Sequence, residues 1–344
     1  MEKEIKTHIP TQWVGPLTFK HFNGRTFQAS DQSLEVPLAT YETTLFPSVG
    51  RGAKVSREIG GLTATLISDG MTRSLLIETT SVTESLAVAE YATSHIEAFQ
   101  KKYVTPHSKH TVLKRIDPTY VGHLMYLRFF FETGLAAGHN MTTFAVDHIA
   151  GALLEAFPNI QYVSLSGNYC TDKKVSAVNR ILGRGKHVIV EATIARNVVE
   201  TTLKTTPEKI VALHQKKNLI GSLVAGSLMS ANAHYANMLL GFYLATGQDA
   251  ANIVEGSQGI THAEVNDDGL YFSVNIPNII MGTVGHGKGP FKDRFDAMGL
   301  SGDHAAEKLA LIAGGVVFAG ELSLLAALTN QHELVRSHTI YERN

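Results

Sequence analysis

The chain has one cysteine among its 344 residues, Cys170, so no internal disulfide can form. The fold therefore does not depend on oxidation, and a cytoplasmic location is expected. The chain also lacks an excess of either charge, because its 30 Lys and Arg nearly balance its 31 Asp and Glu. This balance favours neither nucleic acid nor an anionic membrane as a partner. The N-terminal stretch MEKEIKTHIPTQW has no apolar signal-peptide core.

Several motifs of catalysis are missing. The 16 histidines include no HExxH, and no CxxC occurs, so no metal site is expected. The absence of GxSxG disfavours a serine hydrolase of that type. GTVGHGKG, at 282–289, approaches a P-loop, but Gly289 stands where Ser or Thr would hold magnesium. A glycine-rich turn that touches a ligand is favoured over a triphosphatase.

Between Lys217 and Asp249 the chain has no Asp, Glu, Lys or Arg. Asn232, His234 and Asn237 interrupt this segment, and polar groups are costly inside a bilayer. Its many small residues suit close packing of helices. The sequence therefore predicts a buried central helix here, and no membrane span.

The order of predicted elements divides the chain. Strands are predicted at TATLIS, RSLLIETT, TVLKRI, LMYLRFFFE and IQYVSLS, and helices at TESLAVAEYATSHIEAFQKKY and TTFAVDHIAGALLEAF. This order is typical of a ferredoxin-like unit. The rest is predicted to be mainly helical, with strands at HVIVEATI and LYFSVNIPNII. The predicted fold class is α+β: an N-terminal arm (1–12), a large mainly helical domain (13–73 and 164–344) and an inserted ferredoxin-like domain (74–163).

SGNYCTDKK, at 166–174, lies where the chain returns from the small unit to the large one, and ligand sites favour such junctions. Adjacent side chains point in different directions, so Lys173 and Lys174 are expected to have different roles. Glu42, in VPLATYETT, has an apolar setting that suits a carboxyl group carrying a proton. Taken singly, Asp249 is more often a solvated helix-end carboxylate, and His338 a surface histidine.

Six motifs, taken together, resemble 3-hydroxy-3-methylglutaryl-CoA reductases. In chain order they are VPLATYE, DGMTR, SGNYCTDKK, GQDAA, AGELSLLAAL and SHTI. The likeness extends over nearly the whole chain from about Trp13. SGNYCTDKK and GQDAA are more similar to the biosynthetic class of eukaryotes and archaea than to the bacterial degradative class.

The resemblance implies a four-electron reduction of 3-hydroxy-3-methylglutaryl-CoA to mevalonate and CoA by two NAD(P)H. The reaction passes through a hemithioacetal and mevaldehyde. Each hydride addition places negative charge on a carbonyl oxygen, which a fixed ammonium group stabilises in the transition state. By resemblance, Lys173 is that cation and Glu42 the proton donor. Asp249 would link the two, and His338 would protonate the departing CoA thiolate.

The resemblance also implies binding residues. The large domain would bind the substrate and CoA, and the small domain the dinucleotide. The residues expected to bind substrate are Arg73, Ser166, Asp172, Lys174, Lys217, His234 and Asn237. CoA phosphates are expected at Arg51 and Lys54, for which a solvated loop is the alternative. Cys170 is expected to be a packing residue.

The departures from the family lie mainly in the cofactor region. The family's G-D-A-M-G-x-N reads GLAAGHN at 134–140, with Leu135 replacing an acid and Ala137 a methionine. Gly138 and Asn140 remain as expected cofactor-binding residues. Arg343 matches an arginine that can face the 2′-phosphate of NADPH. NADPH is therefore the expected cofactor, with NADH left open and no metal.

Other departures concern assembly and catalysis. The family's T-V-G-G-G-T reads TVGHGKG, Tyr41 replaces a threonine, and the E-N-V-I-G dimerisation stretch is absent. A fold of this kind typically places active sites at a subunit interface, so a homodimer or homotetramer is expected.

Two alternatives remain beside the active reductase. One is a catalytically weakened relative that binds acyl-CoA or nucleotide, which Leu135 and His286 favour. The four matching catalytic residues argue against it. The other is a reductase of a different acyl-CoA. Arg73 and Lys174 argue against that reading, because they would have no carboxylate to pair with.

Overall fold

The computed structural model describes residues 8–285 and 289–342, without the side chains of residues 337, 338, 341 and 342. In these residues the strands are β1 (Thr11–Asn23), β2 (Gln28–Ala39), β3 (Leu62–Glu78), β4 (Val112–Val121), β5 (Leu124–Glu132), β6 (Gln161–Leu165), β7 (Gly185–Ala195), β8 (Ile260–Asn266) and β9 (Gly269–Ile279).

The helices that precede the return to the large part are α1 (Leu45–Glu58), α2 (Val82–Ser94), α3 (Ile96–Phe99) and α4 (His139–Ala156). Those that follow are α5 (Ala177–Leu182), α6 (Arg196–Thr201), α7 (Pro207–Leu213), α8 (Ser222–Val224), α9 (Tyr235–Ala245), α10 (Ile253–Gly256), α11 (Lys292–Ala297), α12 (Ala305–Leu328) and α13 (Glu333–Glu342). Gln100–Val104 and His214–Gly221 are π-helical, and Ala250–Asn252 and Gly289–Phe291 are 3-10 turns.

The fold is mixed α/β with a curled sheet. Six strands follow the order β2-β1-β3-β7-β9-β8, and within this order only β1 and β3 are parallel. The long strand β3 belongs to two sheets. Its first half, to Gly70, pairs with β1 and β7, and its second half, from Met71, pairs with β5 and β6. This strand therefore carries the chain from the large part of the molecule into the small one.

The small part is a four-stranded antiparallel sheet in the order β6-β3-β5-β4. Its elements follow one another as β-α-β-β-α-β, the order that the sequence predicts for this stretch. Helices α2 and α4 cover it. It has a separate hydrophobic core, which includes Leu75, Val88, Phe129, Val146 and Ile149.

Helix α12 is the core element of the large part. It packs against α1, α9, β7 and β9, and nearly all of its residues are buried. Among the described residues, this helix alone is long and apolar enough to cross a bilayer. Its burial on all sides is that of a core helix.

One expectation is incomplete and another needs correction. The sequence does not predict β1, β2 and β8, which join the two predicted strands and the first half of β3 in a six-stranded sheet. The uncharged segment is not one buried helix. Only α9 is regular and buried, whereas Leu223 and Val224 are 80% and 83% exposed. The side chain of Asn232 donates to the carbonyl oxygens of Ser257 and Gly259 and accepts from the N–H of Tyr235, the first residue of α9.

Candidate active site

Lys173 lies in the loop between β6 and α5, and its side chain forms an ion pair with Asp249. The Lys173 Nζ to Asp249 Oδ2 distance is 2.7 Å, and Asp249 Oδ1 also accepts from the Ala251 N–H at 3.1 Å. The hydrogen bond to Asp249 raises the pKa of Lys173. Burial opposes ionisation of Asp249, but the bonds from Lys173 and Ala251 outweigh it and lower its pKa. Both groups therefore stay charged, and the ammonium is held in one place.

Asp172 has three cationic or potentially cationic neighbours. The Arg184 Nη2 donates to Asp172 Oδ1 at 2.5 Å, Arg73 Nη1 lies 3.7 Å from Oδ2, and His139 Nε2 lies 3.6 Å from Oδ1. Burial alone would raise the pKa of Asp172, but the interaction with His139 and the charge of Arg184 hold it well below its usual range. Asp172 is therefore a carboxylate that orients Arg73 at the rim of a cavity.

That cavity, which we call the lysine cavity, measures about 710 Å³. Its lining joins Lys173, Asp249, Arg73 and Asp172 to the stretch 136–141 and to 284–285. Gly138 has φ 94° and caps the start of α4. A Cβ on Gly282 would lie 2.6 Å from the Ala137 nitrogen, so only glycine permits this approach of the two loops. The divergent GLAAGHN stretch and the glycine-rich turn thus face one cavity with the lysine.

Glu42 lines a second cavity of about 470 Å³, the glutamate cavity, together with Arg51, His234 and Asn237. Asn237 Nδ2 donates to Glu42 Oε2 at 2.8 Å. The Nε2 of His234 lies 3.0 Å from the Gly320 carbonyl oxygen. Helix α13 contributes one wall of this cavity.

Arg51 is held by Ser323 in the same cavity. Its Nε donates to the Ser323 hydroxyl at 2.9 Å and its Nη2 to the Ser323 carbonyl at 2.6 Å. Burial lowers the pKa of Arg51. The guanidinium is therefore part of the packed wall, with its position set by α12.

Within one chain the two cavities are separate, since no described residue lines both. Asn237 lies in the first turn of α9, and Asp249 lies beyond its last residue. The eight residue steps from Asn237 to Ala245 alone rise about 12 Å along the helix. The structure therefore pairs Lys173 with Asp249 and Glu42 with Asn237, at opposite ends of α9.

Of the other expected site residues, most line neither cavity, and some lie outside the residues that the structure describes. Lys174 donates from Nζ to the Asp172 carbonyl at 3.1 Å, so the two adjacent lysines do point apart. Neither cavity is lined by Ser166, Lys174, Lys217 or Lys54. Asn140 is exposed and lines the lysine cavity. His338 belongs to α13, but its side chain is not described, and His286 and Arg343 lie outside the described residues.

Sequence reasoning missed buried residues behind the site. Glu321, in AGELSLLAAL, is fully buried and accepts from the N–H groups of Ala233 and His234 at 2.7 and 3.1 Å. It thereby fixes the start of α9, where Asn237 binds Glu42. A single acid inside a long apolar run was the available signal. The buried Arg184 and Glu255 were also missed, and no local pattern marks them.

In residues 8–285 and 289–342, no group of three or more His, Cys, Asp or Glu side chains is arranged to hold an ion. Cys170 is buried, and its Sγ lies 3.4 Å from the Ser166 hydroxyl oxygen.

Comparison with known proteins identifies the family. The family model for hydroxymethylglutaryl-coenzyme A reductase matches residues 7–343. The 3-hydroxy-3-methylglutaryl-coenzyme A reductase of Pyrococcus horikoshii is 45% identical over 97% of this chain and 81% of its own length. The enzyme of that name from Methanothermobacter thermautotrophicus is 43% identical over 96% and 82%. This chain belongs to the hydroxymethylglutaryl-coenzyme A reductase family.

Solved structures support the fold. The 3-hydroxy-3-methylglutaryl-coenzyme A reductase of Streptococcus pneumoniae superposes with a TM-score of 0.72 at 18% identity, over 95% of this chain and 86% of that one. A class II reductase from the same organism, bound to NADPH, gives 0.73 at 16% identity, over 95% and 77%. At such identities the likeness concerns the fold alone.

Proposed function

We propose that this protein reduces 3-hydroxy-3-methylglutaryl-CoA to mevalonate and CoA, consuming two NAD(P)H. The observation that carries the proposal is the Lys173–Asp249 ion pair in a cavity that also contains the cofactor stretch. Family membership supplies the substrate class, because the curated relatives are named for this activity.

Lys173 is proposed to stabilise the oxyanion. Each hydride addition turns a carbonyl oxygen into an alkoxide, and the ammonium held by Asp249 is fixed before the charge develops. A donor arranged in advance costs no reorganisation in the transition state. Losing such a donor typically costs about 3–4 kcal/mol of activation free energy.

Glu42 is proposed as the proton donor to the carbonyl oxygen, with Asn237 holding its carboxyl group by the 2.8 Å hydrogen bond. Asp249 would couple the lysine to this proton transfer. His338 is proposed to protonate the CoA thiolate as the hemithioacetal collapses to mevaldehyde. Imidazole suits that step because its pKa lies within about two units of a thiol's.

The lysine cavity fits a dinucleotide. The N-terminus of the long helix α4 opens into it behind Gly138, and free N–H groups at such a terminus bind phosphate. Asn140 and Gly285 line the same wall. When bound, the nicotinamide supplies the hydride, and Lys173 at the same cavity would receive the substrate carbonyl. The NADPH-bound relative supports NADPH, with Arg343 as the proposed partner of the 2′-phosphate and NADH still possible.

We further propose that the division of the molecule follows its two sheets. The ferredoxin-like part (74–163) would bind the dinucleotide, and the large part (13–73 and 164–344) the substrate and CoA. The separate hydrophobic cores support this division. Arg51 and Lys54 in α1 are the proposed contacts for CoA phosphates.

A homodimer or homotetramer is proposed to complete the site. One chain holds Glu42 and Lys173 in different cavities, although the reaction needs proton donor and oxyanion cation at one carbonyl. Next to Lys217, the side chains of Leu219, Ile220, Leu223 and Val224 form an exposed apolar surface. Large exposed apolar patches mark interaction sites. A second copy covering this surface is the proposed way to bring a glutamate cavity of one chain to a lysine cavity of the other.

The first test is an assay of the purified protein with hydroxymethylglutaryl-CoA, run with NADPH and NADH in parallel. Two cofactors oxidised per mevalonate are expected. Lys173→Ala should reduce turnover by about 10²–10³-fold while the protein stays folded and binds acyl-CoA. Near-normal turnover in this variant would exclude the oxyanion role.

The same assay separates the alternatives. A folded protein that binds the acyl-CoA but turns over neither cofactor would support the weakened relative. Turnover of an acyl-CoA without a free carboxylate, with none of hydroxymethylglutaryl-CoA, would support a different substrate.

A further inference from the structure

Glu255 lies in α10, is fully buried, and lines neither cavity. Its Oε1 accepts a hydrogen bond from the backbone N–H of Lys173 at 3.1 Å and another from Asn252 Nδ2 at 3.0 Å. A buried carboxylate is costly to keep, and burial raises the pKa of Glu255. Such a group needs a structural or functional reason to be there.

The backbone of Lys173 requires support. Its φ is 55°, in the left-handed region, and Ser166, Asn168 and Thr171 of the same loop also have positive φ. Each such residue costs on the order of 1–3 kcal/mol and persists only where its surroundings impose it. The hydrogen bond from the Lys173 N–H to Glu255 is a contact that imposes this conformation directly.

Arg184 holds Glu255 in place. It is fully buried, and its Nε lies 3.5 Å from Glu255 Oε1. Its Nη1 donates to the Thr72 carbonyl at 2.8 Å, and its Nη2 to Asp172. Arg184 thereby connects strand β3, the lysine loop and α10, which places the Glu255 oxygen relative to the sheet.

We infer that Glu255 is a positioning residue for Lys173: its carboxylate oxygen holds the backbone N–H and so aims the ammonium at Asp249 and at the reacting carbonyl. Glu255 acts through the lysine and touches no substrate. This inference rests on the proposed reductase function. An error of about 1 Å in the position of a catalytic group can cost about 10²-fold in rate, so a backbone contact of this kind matters for turnover.

Two variants test whether Glu255 acts through the position of its oxygen or through its charge. Glu255→Gln keeps the length of the side chain and an accepting oxygen but removes the charge. Glu255→Asp keeps the charge near Arg184 but shortens the side chain by one methylene, so its oxygen no longer reaches the Lys173 N–H. Neither variant leaves a cavity as large as alanine would.

For a positioning role we expect Glu255→Asp to lower kcat about 10²-fold, with KM for the acyl-CoA nearly unchanged. Glu255→Gln should stay within about tenfold of the parent. The reverse order, with Asp active and Gln inactive, would mean that Glu255 acts by its charge, and would overturn the proposal. Equal kcat in all three proteins would overturn it as well.

A second measurement does not depend on turnover. Lysines labelled by reductive methylation with ¹³C can be titrated by NMR, and Lys173→Arg identifies the Lys173 signal. The titration midpoint of Lys173 should fall towards that of an exposed lysine in Glu255→Asp and stay raised in Glu255→Gln. If the parent protein shows no reductase activity, the proposed function fails, and this signal still decides whether Glu255 positions the lysine.

The matched control is Glu191, a half-buried carboxylate on β7 that accepts from the Tyr271 hydroxyl at 2.5 Å and lines neither cavity. Glu191→Gln and Glu191→Asp should change neither kcat nor the Lys173 signal. A loss of kcat in the control pair equal to that in Glu255→Asp would show a general effect on stability and remove the support for positioning.

Discussion

At the scale of single residues, the charge and position of Lys173 depend on two neighbouring carboxylates. Asp249 keeps its ammonium charged, and Glu255 holds its backbone. The sequence pointed to Lys173 and Asp249 through the motifs SGNYCTDKK and GQDAA. It did not reveal Glu255 or Arg184, because a buried polar contact between residues far apart in the chain leaves no local pattern.

The buried side chain of His214 is expected to make the stability of the protein depend on pH. It is 1% exposed, accepts at Nδ1 from Asn218 at 3.3 Å, and burial lowers its pKa to about 4. Between that value and the ordinary pKa of about 6.5, the unfolded chain binds a proton that the folded protein does not. The contribution of neutral His214 to the free energy of unfolding is therefore fully present above about pH 6.5 and is lost as pH falls towards 4.

Replacing His214 with Gln should remove this pH dependence. From about pH 7 to about pH 5, the free energy of unfolding of the parent should fall by about 2 kcal/mol more than that of the variant. Urea unfolding at a fixed protein concentration measures the difference. An identical fall in both proteins would show that His214 does not stay neutral in the folded state.

At the scale of elements, the contact between α1 and α12 sets the shape of the glutamate cavity. A Cβ on Gly52 of α1 would overlap the Ala319 carbonyl group of α12, so the two helices approach as closely as they do only with glycine there. This approach lets Arg51 reach Ser323. The long apolar sequence of α12 suits a buried helix, but it does not show which helix lies against it.

Gly52→Ala should therefore destabilise the protein by about 1–3 kcal/mol, since the helices must move apart. Gly50→Ala in the same helix is the control, because its Cβ would meet only Val14 Cγ1 at 3.6 Å. Alanine favours helix over glycine by up to about 1 kcal/mol, so the control should gain stability. The denaturant midpoints of the two variants measure these changes in stability. Equal shifts of the midpoint in both variants would contradict the close contact of α1 with α12.

At the scale of the whole molecule, the two separate cavities are the basis of the proposed dimer. Glu42 and Lys173 lie at opposite ends of α9, and the apolar surface around Leu223 is exposed in one chain. The proposed second copy would account for both the separate cavities and the exposed apolar surface. The family's usual dimerisation stretch is missing from the sequence, so this surface is the proposed replacement.

Leu223→Asp combined with Val224→Asp should separate the subunits. Burying unpaired carboxylates costs several kcal/mol, so association should weaken by about a hundredfold or more. Sedimentation should show monomers, and turnover should fall in parallel. Leu86→Asp, at an exposed position on α2, is the control and should leave both unchanged. Full activity of a monomeric variant would contradict a shared site.

The sequence by itself determined the family, the order of elements in the small part and which residues match the family's motifs, because these depend on contiguous motifs and on periodic apolar positions. Only the tertiary structure decided that β1, β2 and β8 complete a six-stranded sheet, since strand pairing joins distant segments. It also decided that Lys173 pairs with Asp249 while Glu42 pairs with Asn237. Distances between such groups depend on how helices and strands pack, which no local stretch of sequence contains.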